Sequence, residues 1–392
     1  MAKQLLIAGA GIGGMAAALA CARVGWNVGV FERAAQLSEV GAGIQIGPNV
    51  TRLLHGWGLQ DALAAVAAFP QHLQVRDALT ARVLGKLALG DTMQQRYGAP
   101  YATLHRADLL ALLHNAVQQT HTQLQLDHGL QHFSQTPSCV SVRSSASEEI
   151  YGDALVGADG IWSPVRQWLL HDGPPQITGH LAYRTLVRQA DLPHCLRSQH
   201  VTAWLGPNLH VVQYPVRRGD WLNVVAIVHG QVPSQHASLE HWDHSANAAD
   251  LRTSLAGVCA PLQNLLQAVP SWRLWVLCDR PPMAGAHQQS QGRVALLGDA
   301  AHPMRPYLAQ GAGMAIEDAA TLASVLQPGS DIPAALAHYA HQRWQRNARV
   351  QARAQRNGRI FHASGLLRWS RDRAMQLGGE RLLDLPWLYG GG

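Results

Sequence analysis

The chain has 392 residues, 47% of them hydrophobic and 14% charged, which is long enough for more than one packed core and excludes bulk disorder. Its 31 Lys and Arg residues against 25 Asp and Glu leave a net charge of +6. That excess suits an anionic small molecule or nucleotide and is too mild for nucleic acid. The five cysteines (Cys21, Cys139, Cys195, Cys259, Cys278) form no C-x-x-C, so neither a disulfide framework nor a zinc site is expected, and a reducing cytoplasm fits.

The run from Leu5 to Arg33 organises the N-terminal third. Leu5 to Ala8 reads as a buried parallel strand, and Gly9, Gly11 and Gly14 supply G-x-G-x-x-G at its end. In such a motif the first glycine permits the tight turn, the second lets a pyrophosphate approach, and the third lets the following helix pack closely. Glu32 closes a second apolar strand, Val28 to Phe31, about twenty residues on, where a carboxylate accepts hydrogen bonds from an adenosine ribose. Lys3, the uncharged run Gln4 to Ala22 and Ala20-Cys21-Ala22 also imitate a secretory leader. Glycines at 9, 11, 13 and 14 would break the helix a leader needs. No later apolar run approaches the ~18 residues of a membrane span.

Glycines at 41, 43 and 47 with Pro48 predict a loop, expected to lie against a bound cofactor through Ala42 and Gly43, before a helix near Thr51 to His55. Residues 69–98 alternate and turn as a β-hairpin. A helix then starts at His105, with Arg106 before its first turn, where a guanidinium can reach a pyrophosphate or simply sit on the surface. Residues 154–157 read as a strand ending in Gly157-Ala158-Asp159-Gly160, with Ser163-Pro164 opening a helix. Asp159 there suits a ribose hydroxyl or a turn.

Residues 176–280 contain short β-like pieces and predict a mostly antiparallel sheet. In Leu209 to Val216, alternation puts His210, Val212 and Tyr214 on one face. That is either a pair of titratable rings turned to a site or an ordinary half-buried strand. Val294 to Leu297 predicts another buried strand, followed by Gly298-Asp299, a loop stiffened by Pro303 and Pro306, and a helix opened by Gly311 and Gly313 and stopped by Pro328-Gly329. The amides at that helix start favour an anionic ring system, and Asp299 suits a ribityl hydroxyl. From Ala334 a helix carries Arg343, Arg346, Arg349, Arg353, Arg356 and Arg359 on a broad face expected to be solvated or to meet another subunit.

Three motifs thus occur in order: GAGIGG at 9–14 with Glu32, GADG at 157–160 and GDAAHP at 298–303. Together they resemble the single-component FAD-dependent aromatic hydroxylases, the group of p-hydroxybenzoate hydroxylase. GAGIQIGPN at 41–49, the run 298–319 and Trp387 to Gly390 are similar to its salicylate hydroxylase and 3-hydroxybenzoate 6-hydroxylase branch.

The resemblance implies an α/β fold: a glutathione-reductase-type Rossmann FAD-binding domain, a β-sheet substrate domain and C-terminal helices. The expected domain segments are 1–70, 101–175 and 281–330 for FAD, 71–100 and 176–280 for substrate, and 331–392 as the helical end. Together with the motifs it assigns FAD to Gly9, Gly11, Ile12, Gly13, Gly14, Glu32, Arg33, Ala42, Gly43, Arg106, Leu130, Asp159, Asp299, Gly311, Ala312, Gly313 and Met314.

It further implies reduction by NADH or NADPH, a C4a-hydroperoxide formed with O2, and hydroxylation of a small phenolic, hydroxylated aromatic or N-heteroaromatic acid with His210 as base and Tyr214 near the substrate. Arg184 is the candidate for the substrate carboxylate, and Pro306 for the flavin's oxygen-reacting edge. Relatives acting on 3-hydroxybenzoate often carry Gln at the position of Pro306, which turns the expectation toward a salicylate-like acid. A monomer or homodimer without nucleic-acid or membrane partners is expected. The rival readings are a flavin halogenase, for which W-x-W-x-I-P is missing, and a non-redox binding protein on the same scaffold.

Overall fold

A computed structural model describes residues 3–37, 43–146, 149–230, 244–245 and 248–391. In chain order, β1 (Gln4–Ala8), α1 (Ile12–Arg23) and β2 (Asn27–Phe31) are followed by β3 (Gly43–Ile46), α2 (Pro48–Gly56) and α3 (Gln60–Val66). Next come the hairpin β4 (His72–Asp77) and β5 (Val83–Ala88), α4 (Gly90–Tyr97), β6 (Ala102–His105) and α5 (Arg106–Val117). Four short strands β7 (Gln123–Gln125), β8 (Leu130–Gln135), β9 (Val140–Ser144) and β10 (Glu149–Gly152) precede β11 (Ala154–Gly157) and α6 (Pro164–Leu170). The long strands β12 (Gln176–Arg188), β13 (Val201–Gly206), β14 (Leu209–Val216) and β15 (Trp221–His229) lead to β16 (His244–Ser245), α7 (Ala248–Ser254) and α8 (Ala260–Ala268). β17 (Arg273–Asp279), β18 (Ser290–Gln291), β19 (Val294–Leu296), α9 (Gly311–Val325), α10 (Ile332–Phe361), α11 (Gly365–Gly378), α12 (Glu380–Leu383) and α13 (Pro386–Tyr389) complete the described chain.

Two units emerge. The first comprises 1–39, 109–176 and 278–354, and the second 40–108, 177–277 and 355–392. In the first unit the sheet order is β18-β19-β11-β1-β2-β7, with β19, β11, β1, β2 and β7 parallel. Its strands are apolar runs because helices cover both faces of a parallel sheet, and Leu5, Leu6, Ile7, Leu155, Val156 and Val294 are fully buried. α1 is apolar on nearly every side and packs on α9. A Cβ at Gly13 would lie 2.8 Å from Leu297 Cδ2 and 3.2 Å from Ala315 Cβ.

In the second unit the sheet order is β16-β17-β12-β15-β14-β13-β4-β5. Antiparallel pairing prevails, β4 and β13 being parallel. Tyr183, Trp204, Val211, Val224 and Ala226 on one face form a core with Leu255, Leu262, Leu265 and Leu266 of the α7–α8 segment. The opposite face carries the polar groups described below.

The units divide differently from the expected segments. Residues 43–70 and 101–108, both expected with the first unit, group with the second, because β3 is zipped antiparallel to β6 and the Gly43 amide donates to Asn223 Oδ1 at 2.7 Å. The helical end divides as well, 331–354 with the first unit and 355–391 with the second. The arginine face of α10 is also corrected. Arg343 is buried and donates to Asp318 (2.7 Å) and Glu317 (2.9 Å), and Arg346 donates to Glu317 at 2.6 Å. Two carboxylates buried on α9 require cationic partners, so these guanidiniums turn inward. Among the described residues no helix is long and apolar enough to cross a membrane.

Candidate active site

In the first unit the three motifs lie at the carboxyl ends of adjacent parallel strands, the place where open α/β sheets bind ligands. Gly9 follows β1 with φ of 96°, and a Cβ there would lie 2.5 Å from the Ala158 carbonyl oxygen. A Cβ on Gly14 would run into the Gly9 carbonyl, whereas one on Gly11 would meet no atom within 4 Å. The glycines therefore play three roles: strained turn, open approach and close packing. α1 starts at Ile12 with no side chain capping its amides, which leaves them directed toward an anion. Glu32 at the end of β2 accepts from the Ala10 and Ala34 amides at 2.8 and 2.9 Å. Each carboxylate oxygen keeps a second lone pair for a ribose hydroxyl. Exposed Arg33 abuts Gly129, the neighbour of half-buried Leu130.

Asp159 follows β11 and is more of a brace than its motif suggests. Its Oδ1 accepts from the Ser163 hydroxyl at 2.5 Å and its Oδ2 from the Val165 amide at 3.1 Å, closing the turn into α6. Desolvation raises its pKa to about 6 against the opposing pull of those hydrogen bonds. After β19, a Cβ on Gly311 would lie 3.9 Å from Asp299 Oδ1, so Asp299 faces the first turn of α9, where Gly311 and Ala312 are half-buried and Gly313 and Met314 buried.

Beneath this loop sits a bracket that the motifs do not reveal. Asp318 Oδ2 accepts from the Gly298 amide (3.1 Å) and meets His302 Nε2 (2.6 Å), and its Oδ1 takes Arg343 and Asn347. Burial works against the Asp318 carboxylate, but His302 and Arg343 outweigh it and hold the group well below the ordinary range. Pro306 is exposed in this unit, between Arg305, which is paired with Asp279 at 2.6 Å, and buried Tyr307.

The open Gly11 approach, the uncapped α1 amides and carboxylates at neighbouring strand ends fit an elongated, anionic dinucleotide such as FAD. They would hold its pyrophosphate and its ribose.

In the second unit, register sorts the large sheet's polar face. Directly opposed residues share a face: Ala182, Ile227, His210 and Leu205 form one row, Arg184, Val225, Val212 and Ala203 the next, and Leu186, Asn223 and Tyr214 a third. His210 and Tyr214 are buried, at 1% and 4% exposure, so β14 is covered on both faces and is no ordinary half-buried strand. Burial raises the Tyr214 pKa above its usual value, against Arg184 and a hydrogen bond with Gln45. Gln45 Oε1 accepts from the Tyr101 hydroxyl at 2.8 Å. Half-buried Arg184 lies over the Trp275 ring at 4.6 Å, which fixes its plane instead of leaving it on the surface. Asn223 is 0% exposed, and although its Oδ1 is held by Gly43, its Nδ2 finds no acceptor among the described residues. A Cβ on Gly43 would lie 2.6 Å from the Tyr214 ring and 2.7 Å from Asn223 Cγ, so only glycine lets β3 close over this corner.

His210 Nδ1 is 2.7 Å from His362 Nε2. Desolvation chiefly, then His180, lowers the His210 pKa to about 3 and keeps the ring neutral. His180, His229 and His362 bring ligand atoms within 4.8 Å of one another. Their rings are stacked, His180 on His229 at 4.3 Å and on His362 at 5.1 Å. A metal must lie in the plane of each ligating imidazole, and planes stacked in this way do not meet within a coordination bond of about 2 Å.

The structure thus places Gly9 to Gly14, Glu32, Arg33, Leu130, Asp159, Asp299, Pro306 and Gly311 to Met314 in the first unit, and Gly43, Arg106, Arg184, His210 and Tyr214 in the second. Ala42 lies outside the described residues. Sequence reasoning missed Asn223, Gln45, Tyr101 and His362. Asn223 alone carried a signal, as the polar residue in an otherwise apolar strand.

A family model described as FAD binding domain matches residues 2–354. The chain is 36% identical over 390 residues to a 3-hydroxybenzoate 6-hydroxylase of Polaromonas naphthalenivorans (strain CJ2), covering 98% of this chain and 95% of that one. Among solved structures it resembles Klebsiella pneumoniae HpxO complexed with FAD and uric acid, with TM-score 0.85, 25% identity and coverage of 97% and 94%. It also resembles a salicylate hydroxylase substrate complex, with TM-score 0.84, 25% identity and coverage of 100% and 96%.

Proposed function

The chain belongs to the FAD binding domain family and is an FAD-dependent aromatic monooxygenase; from that premise we propose that it hydroxylates a hydroxybenzoate, with NADH or NADPH as reductant and O2 as oxidant. The observation that carries the substrate class is the polar face of the second unit's sheet, where a neutral buried histidine shares one surface with a guanidinium, a phenol and an unused amide donor. A non-redox scaffold has no need of such a set, and the similarity to named monooxygenases removes the halogenase reading.

FAD, held by the glycines of the α1 turn and Glu32, would supply the redox chemistry and the activation of O2. The chain's own residues do the rest. Arg184, held flat by Trp275, pairs with the substrate carboxylate, and the Asn223 amide donates to a substrate oxygen. Tyr214, kept protonated by burial, orients the ring. His210 accepts the phenolic proton, so electron density flows into the carbon under attack. A phenol of pKa about 10 does not yield its proton to an isolated buried imidazole, so transfer accompanies attack, as the phenolic oxygen loses electron density.

The deciding experiment screens aromatic acids for stimulated NAD(P)H consumption, with product analysis to separate hydroxylation from peroxide release. Similarity to the Polaromonas enzyme puts 3-hydroxybenzoate in the panel, and Pro306 puts salicylate there. His210→Ala is expected to slow hydroxylation by about 100-fold or more while flavin reduction stays near wild type. Equal slowing of both steps would remove the base assignment.

A further inference from the structure

His210 offers two ring nitrogens, and a neutral imidazole carries its proton on only one of them. A base must present the bare nitrogen to the phenol, so something has to hold the proton on the other. Nδ1 is the nitrogen already engaged, at 2.7 Å from Nε2 of His362. Both rings are buried, at 1% and 5% exposure. Between two imidazole nitrogens at that distance one proton lies on the line, and its direction decides what His210 can do. If His362 donated, His210 would carry its proton on Nε2 and could not accept another there.

His362 is well fixed for this role. Its amide donates to the Gly358 carbonyl at 3.2 Å and its carbonyl accepts from the Asn208 amide at 3.1 Å, tying the end of α10 to the β13–β14 turn. The preceding Phe361 sets its ring edge-on to His210 at 5.5 Å. His180 from β12 and His229 from β15 pack on the His362 ring at 5.1 and 4.9 Å. Asp77 of β4, further along the row of His210 and Leu205, is engaged by Arg368 at 2.6 Å. The His210 ring itself meets the Phe361 ring and the His362 ring, at 5.5 and 5.0 Å.

We propose that His362 is the positioning partner of His210: it accepts the Nδ1–H of His210 on its own Nε2 and thereby fixes the tautomer whose Nε2 lone pair takes the substrate's phenolic proton. In that step the phenol O–H bond breaks with its electron pair left on oxygen, and an N–H bond forms at His210 Nε2. The resulting cation shares its Nδ1–H with His362, which disperses charge over two rings in a buried place. This inference rests on the proposed role of His210 as base.

The test uses FAD-loaded enzyme and rapid-mixing kinetics that separate flavin reduction from hydroxylation. His362→Leu removes the acceptor and is expected to slow hydroxylation about 10-fold to 100-fold, with flavin reduction unchanged and KM for the aromatic acid within about twofold. His362→Gln places an amide oxygen where Nε2 stood and is expected to restore most of the rate, which a merely space-filling role would not require. Hydroxylation at the wild-type rate in His362→Leu, or a Gln variant no better than the Leu variant, overturns the proposal. Should His362→Leu fail to take up FAD, His362→Asn, whose shorter amide does not reach Nδ1, replaces it in the comparison. If His210→Ala itself hydroxylates normally, the base assignment has failed, and that result is distinct from failure of the His362 partnership alone.

Discussion

Asn223 shows how a single buried amide divides its work. Its oxygen is committed to the Gly43 amide, so its nitrogen is the donor left for a ligand. Asn223→Asp keeps the oxygen and removes the donor, and it is expected to weaken binding of the aromatic acid about tenfold or more at unchanged FAD content, measured by titration of the flavin spectrum.

Asp159 supports a prediction of a different kind. Its pKa is raised in the folded chain to about 6 from 3.8, so the folded state holds the proton more tightly than the unfolded one. Its contribution to stability is therefore full below about pH 4 and is lost as pH rises to about 6. Asp159→Asn, which still accepts from Ser163, should flatten the melting temperature across that interval. An unchanged slope would show that another group is responsible. Asp159 was legible as a motif residue, but not as the brace of α6, because a brace is defined by the partner it meets.

At the scale of elements, α9 depends on α10. Glu317 and Asp318 are buried on α9, and Arg343 answers both while Arg346 answers Glu317. Removing a partner from such a network leaves buried charge uncompensated, which typically costs about 3–5 kcal/mol. Arg343→Leu is accordingly expected to lower the denaturation midpoint sharply and to loosen FAD, since Asp318 also holds the Gly298 amide at the flavin loop. Arg359→Leu, taken from the same arginine series at an exposed position, is the control, with an expected change within about 0.5 kcal/mol. The helix itself was visible as a run of arginines at spacing three and four. Which of them faced inward was not visible, because that depended on where the carboxylates of a different helix lay.

For the whole molecule, binding and folding are linked. A group gripped by turns that only the folded chain assembles stabilises that fold, by about 2.7 kcal/mol at a free concentration 100-fold above its dissociation constant. The melting temperature is thus expected to rise with added FAD, and a Gly14→Ala variant, whose new Cβ meets the Gly9 carbonyl, should lose that response. A wild-type melting temperature indifferent to FAD would contradict the assignment of the first unit.

Read along the chain, the residues by themselves determined the strand-turn-helix units, the order of the three flavin motifs and the face shared by His210 and Tyr214. All of these are written in spacings of a few residues, and backbone geometry converts such spacings into shape without outside help. Tertiary structure alone decided that 43–70 joins the large sheet, that two arginines of α10 turn inward, that Asn223 meets Gly43 across 180 positions, and that His362 meets His210 across 152. Those pairings follow from burial, which leads most enclosed donors and acceptors to a partner wherever the fold brings one, and no periodicity records which distant residue that partner is.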